Sequence, residues 1–156
     1  MLKKRNLFVL LFLIPLVAST EILVLENFEN NPDRWRAGEL EREILHGGSA
    51  AFRWDTNSRE RVTFQFARKD WEQYPFFNIW VYSLKATGAT INVVLTSENS
   101  ASIGWDYYNA SFKVDWQGWK LIQLSREEFQ ANRSPAGWHK IDEVMFSARG
   151  WGHEPV

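Results

Sequence analysis

The chain has 156 residues, nine of them tryptophan and none cysteine, with a formal net charge of −1. The missing cysteines exclude disulfides, thiolate metal sites and lipid attachment through a thiol, so stability must come from a hydrophobic core, which a chain of this length can bury. No basic stripe or lysine and arginine cluster interleaved with aromatics is present, which excludes nucleic acid as a partner.

In chain order, the first segment is a leader. Lys3, Lys4 and Arg5 precede an apolar run from Leu7 to Ile14, which Pro15 breaks before the small residues Val17, Ala18 and Ser19. This pattern predicts a secretory signal peptide over residues 1–19, cleaved after Ser19, and a secreted or periplasmic mature chain. The apolar run is far shorter than the roughly 20 residues that span a bilayer, so no stable membrane insertion is expected. Loss of the three basic residues takes the formal charge from −1 to −4.

From residue 20 onward the dominant period is two, in short segments punctuated by Gly, Asn and Ser. The pattern predicts nine strands: 22–28, 38–45, 50–55, 61–67, 76–84, 90–96, 107–114, 119–124 and 141–148. Alternation places Phe52 and Trp54, Val62, Phe64 and Phe66, Ile91, Val93 and Leu95, Phe112 and Val114, and Val144 and Phe146 on inward faces. Residues 76–84 are apolar or aromatic on both faces, which predicts a central strand covered on both sides. Ser125 followed by Glu128 is a capping-box spacing and predicts a short helix over 126–132, anchored by Phe129. Residues 20–156 therefore read as one all-β domain, an antiparallel β-sandwich with one short helix. No repeat or linker divides it.

Catalytic signatures are missing from the sequence. His46, His139 and His153 do not share a metal-ligand spacing, and there is no nucleophile elbow, phosphate-cradling glycine loop or H-E-x-x-H motif. Acids suited to glycoside chemistry are numerous, but Asp106, Asp115, Glu127, Glu128, Asp142 and Glu143 fall mostly on outward strand positions or at the helix start. The expectation is a protein that is not an enzyme.

The segments ILVLENFENNPDRW, HGGSAAFRWD, WDYYNASFKVDWQGWKLIQLSREEF and GWHKIDEVMFSARGWG resemble the non-catalytic modules attached to polysaccharide lyases of the heparinase II/III and oligoalginate-lyase type. They are also similar to galactose-binding-like carbohydrate-binding modules in general. The resemblance spans the mature chain, and its most specific part is Phe112 to Lys120. It implies a galactose-binding-like jelly roll, and a partner that is either a polysaccharide or a lyase catalytic domain. Such modules continue into one more strand with paired Asp residues, so the resemblance implies a module lacking its last strand. It also implies a structural calcium held by Glu29 and the Gly48–Ser49 turn, with Asn27 standing where a second acid belongs. Calcium takes six to eight oxygens, so a site short of a carboxylate is expected to be weak or empty.

The indoles divide into two sets. Trp54, Trp80 and Trp119 lie within strands beside apolar residues and are expected in the core. Trp105, Tyr107, Tyr108, Trp138 and Trp151 lie at strand ends or in loops, where rings can stack on sugars. Arg149 beside Trp151 suits a uronate, since a guanidinium pairs with a carboxylate while an indole takes the sugar face. The candidate carbohydrate-binding set is therefore Trp105, Tyr107, Tyr108, Trp138, Arg149 and Trp151. Two other functions remain open, a structural domain docked on a lyase and an enzyme in its own right. Rings about one sugar apart with polar groups between them indicate glycan binding, and a flat apolar face without polar groups indicates docking.

Overall fold

A computed structural model describes residues 22–29 and 34–148, with the backbone alone at 66–69. Period-two alternation dictates its architecture, because a strand with one apolar edge must lay that edge on another layer. The strands are β1 (Trp35–Arg36), β2 (Glu39–Glu41), β3 (Ala51–Arg53), β4 (Arg61–Lys69), β5 (Phe76–Ser83), β6 (Thr90–Thr96), β7 (Tyr107–Lys113), β8 (Gly118–Ser125), β9 (Gln130–Asn132) and β10 (Ile141–Ser147). One sheet has the order β1-β4-β10-β6-β7-β9; β5 pairs with β8, and β2 with β3. Every pairing is antiparallel. The chain is an all-β sandwich.

The core lies between the six-stranded sheet and the β5–β8 pair. Val62, Phe64, Ile91, Val93, Leu95, Ala110, Val144 and Phe146 from the first meet Ile122 and Leu124 from the second. Phe77, Ile79 and Val81 of β5 pack against the same cluster. Each large side chain fully buried here contributes about 1.5–3 kcal/mol. The β2–β3 pair closes one side, where Phe52 packs on Trp35 with ring centroids 4.7 Å apart.

Several expectations are corrected. Residues 22–28 keep the alternation, with Leu23 and Leu25 packed on the core and Ile22 and Val24 exposed, but they join no ladder among the described residues. The predicted helix over 126–132 is a single 3-10 turn, Arg126–Glu128, followed by β9. Glu128 does accept the Ser125 N–H at 2.7 Å, as the capping spacing requires. A helix that short gains little by propagating, whereas Gln130–Asn132 gain ladder bonds on the β7 edge. Residues 76–84 do not form a strand covered on both sides: along β5 burial alternates strictly, and Phe76, Trp80 and Tyr82 face outward, 50%, 47% and 39% exposed.

Candidate functional site

The loop and strand-end rings were the first candidates, and the structure separates them. Trp105 is exposed, just ahead of β7. Tyr107 is half-buried on the outward face of the six-stranded sheet, opposite Thr96 and Asn132. Tyr108 points the other way and stacks on Trp138, with centroids 4.6 Å apart. Trp138 also receives the edge of Phe129 at 5.6 Å, and its carbonyl accepts the Trp71 N–H at 2.8 Å. Tyr108 and Trp138 thus fill the margin of the core. Burial raises the phenol pKa of both tyrosines. Arg149 and Trp151 lie outside the described residues.

The segment leading into Trp105 is organised by a buried acid. Asp106 is fully buried and accepts the Ser102 hydroxyl at 2.9 Å, the Ser134 N–H at 3.0 Å and the Asn99 N–H at 3.3 Å. Burial alone would raise its pKa; these donors, with Arg133 nearby, outweigh that and hold it below the ordinary value. Asp106 is a structural clasp joining the 99–106 loop to Ser134.

The positions matched to a calcium site hold each other instead. Glu29 accepts the N–H and hydroxyl of Ser49 and the N–H of Ala50, and its own N–H donates to the Asn27 side chain at 3.1 Å. These donors, the Ser49 hydroxyl first, lower the Glu29 pKa. A carboxylate surrounded by N–H and O–H donors is already satisfied and faces the wrong end of each dipole for sharing a cation. Among the described residues no three or more His, Asp or Glu side chains gather where a metal ion could be held. Asn27, Glu29 and Ser49 therefore do not fit the ion.

Of the rings expected in the core, Trp54 packs against it, whereas Trp80 and Trp119 join an outward cluster. Outward positions of β5 and β8 pair across the ladder as Phe76 with Ser125, Asn78 with Gln123, Trp80 with Leu121 and Tyr82 with Trp119. Successive outward positions on one strand are about 6–7 Å apart. Trp80 carries the His46 imidazole on its face, 3.8 Å between centroids, and Trp119 meets Tyr82 edge-on at 5.4 Å. Beside the rings the Gln123 amide donates to the Asn78 carbonyl at 3.1 Å. None of these eight outward residues is charged. The face is a strip of rings about one sugar apart, bordered by an amide pair.

Sequence reasoning missed this face because apolar residues on both edges of β5 read as double burial. One signal was available: Asn78 and Gln123 share the outward register with the rings, and a buried second face would have had to satisfy both amides.

No protein-family model matches the chain, and no curated protein is significantly similar to it. Among solved structures, the chain is similar to a family 11 carbohydrate-binding module from Clostridium thermocellum, in complex with a β-1,3-1,4-mixed-linked tetrasaccharide. The match has a TM-score of 0.54 and 14% identity, covering 83% of this chain and 86% of that one. The two share a fold. At this identity the likeness shows the sandwich fold alone.

Proposed function

We propose that this chain is a non-catalytic module that binds a polysaccharide outside the cytoplasm, the leader over residues 1–19 supplying the export signal. The observation that carries this reading is the outward face of β5 and β8, where the exposed Trp80 and Tyr82 and the half-buried Trp119 lie in one strip beside the Asn78–Gln123 pair. Indole and phenol faces take the C–H faces of pyranose rings, and neighbouring amides read hydroxyl orientation. The absence of charge from the eight outward positions favours a neutral polymer. A uronate polymer would draw on Arg149 and Trp151 instead. The fold shared with a module solved with an oligosaccharide supports the same reading.

Affinity electrophoresis of the mature chain against neutral and uronate-containing polysaccharides tests it. Retardation by at least one neutral polymer, greatly weakened by Trp80→Ala without a change in thermal unfolding, is the expected result. Migration unaffected by every polymer would overturn glycan binding, and would favour docking on a lyase catalytic domain.

A further inference from the structure

The opposite side of the sandwich carries a second feature, which owes nothing to the aromatic strip. The other face of the six-stranded sheet is mostly polar around a buried Val94 and Met145: β6 places Asn92 and Thr96 there, both buried, β7 presents Asn109 and Ser111, and β9 presents Gln130. These side chains do not form a flat surface. Asn92, Asn109, Ala110, Ser111, Glu128 and Gln130 line a depression of about 360 Å³. That volume lies within the range of about 300–1,000 Å³ typical of small-molecule sites.

The lining has unspent hydrogen-bonding capacity. Asn92 is only 2% exposed, yet its Nδ2 has no partner among the described residues. Buried amides are nearly always satisfied, so this shielded donor, in a residue that lines the depression, is an unmet hydrogen bond that a small turn of the Asn92 side chain would offer to an acceptor seated there. Asn109 uses its side-chain oxygen to accept from the Asn132 amide. Its own NH2, the Ser111 hydroxyl and the Gln130 side-chain amide have no recorded partner among the described residues. Glu128 has one oxygen engaged by the Ser125 N–H and is held ionised by that bond. The wall thus offers amide donors, amide and hydroxyl acceptors and one carboxylate, with no lysine, arginine or histidine among the described residues.

We propose that this depression is a second ligand site, one that takes a neutral, hydroxyl-rich saccharide unit. Sugar hydroxyls both donate and accept, which matches paired amides better than any purely donating or purely accepting ligand. Glu128 accepts from sugar hydroxyls and repels a uronate or a sulfated sugar, since no lining cation among the described residues offsets its charge. With rings on one face and amides on the other, the module engages two glycan segments at once, and on a polymer that bivalency raises avidity.

The test is an NMR titration of the full mature chain, following side-chain and backbone amides, with three neutral probes and one anionic probe. The probes are the mixed-linked β-1,3-1,4 tetrasaccharide, xylotetraose, mannotetraose and tetragalacturonate. Saturable shifts at Asn92, Asn109, Ser111 and Gln130 with a neutral probe are expected, undiminished in Trp80→Ala. Gln130→Ala and Ser111→Ala should each weaken that binding about fivefold to tenfold, as loss of one hydrogen bond predicts. The proposal is overturned if no neutral probe shifts these residues, if only tetragalacturonate does, or if Trp80→Ala abolishes the shifts. Because the titration of the unaltered chain decides the first two outcomes, a variant that fails to fold does not blunt the test. Failure here leaves the electrophoretic result for the aromatic strip standing, and the converse also holds.

Discussion

His46 lies almost parallel to Trp80, 3.8 Å between ring centroids and 22° between planes, and presents its edge region to Trp119 at 5.3 Å. The imidazole comes from the segment between β2 and β3, so it ties that segment to the outward face of β5 and β8. It fills one side of the indole while leaving Trp80 half exposed. A ring braced in this way loses less rotamer freedom when a ligand arrives. His46→Ala should therefore weaken polysaccharide retention about twofold to fivefold by freeing Trp80, with little change in unfolding because both rings are solvent-facing. Affinity electrophoresis beside a thermal melt reads both effects, and a gain in retention would show that the imidazole blocks the indole.

The two sets of rings should respond oppositely to truncation. Trp80→Ala and Trp119→Ala remove outward area and should abolish or greatly reduce retention while costing little stability. Phe64→Ala empties a site 2% exposed and should cost about 3–5 kcal/mol. Trp138→Ala breaks the stack with Tyr108 and the edge contact with Phe129, so it should destabilise the fold without touching the strip. Chemical denaturation of the four variants, set beside their retention, separates the classes. A Trp138→Ala protein with native stability and lost retention would return that ring to the binding surface.

Much of the sandwich was legible because alternation is a direct consequence of strand geometry. Thr90–Thr96 has the predicted bounds, although Val94 breaks its alternation and is buried on the opposite face, and Val62, Phe64, Val93, Leu95, Val144 and Phe146 all face inward. The misreading of Trp80 and Trp119 has a simple physical origin. Period two says which residues share a face, but it does not say whether that face meets protein or solvent. Trp80 and Trp119 were thus placed in the core, although their register with Asn78 and Gln123 argued otherwise. Tyr108 and Trp138 were placed at the surface because loops and strand ends usually are. Contact between residues 30 apart in sequence left no trace in either segment. The amide-lined depression was invisible for the same reason, since Asn92, Asn109 and Gln130 are brought together only by the β6-β7-β9 order.

The Glu29 clasp depends on the backbone at Gly48. Gly48 has φ of 72°, and a β-carbon there would collide with the Glu29 carboxylate. Gly48→Ala must therefore adopt a left-handed conformation, costing about 1–2 kcal/mol, and must also displace the acid. The expected outcome is a lowered unfolding midpoint. Addition of calcium, or of a chelator, should leave the midpoint of the unaltered chain unchanged, because the carboxylate is already satisfied by Ser49 and Ala50. A midpoint raised by calcium and lowered by chelator would show that an ion displaces those donors.

Asp106 should give the fold a specific acid sensitivity. Its pKa lies below the ordinary value of 3.8 in the folded chain, although burial pushes the other way, because Ser134, Ser102 and Asn99 donate to it. A depressed carboxylate binds fewer protons folded than unfolded, so it stabilises the fold above the unfolded value and loses that contribution as pH falls through the folded one. Asp106→Asn keeps the shape but places an NH2 group among donors, so the variant should be less stable at neutral pH. The gap in unfolding midpoint between the two proteins should be widest above about pH 5 and should shrink progressively below about pH 4, where the unfolded carboxylate takes up its proton while the folded one still resists. Glu29, Glu41, Asp55 and Glu128 are also depressed and add their own acid dependence, but they are common to both proteins and cancel in the difference. Thermal melts from pH 7 to pH 3 measure that difference directly. A gap that stays constant across the range would mean that the 99–106 loop and Ser134 are held together by something other than the Asp106 charge.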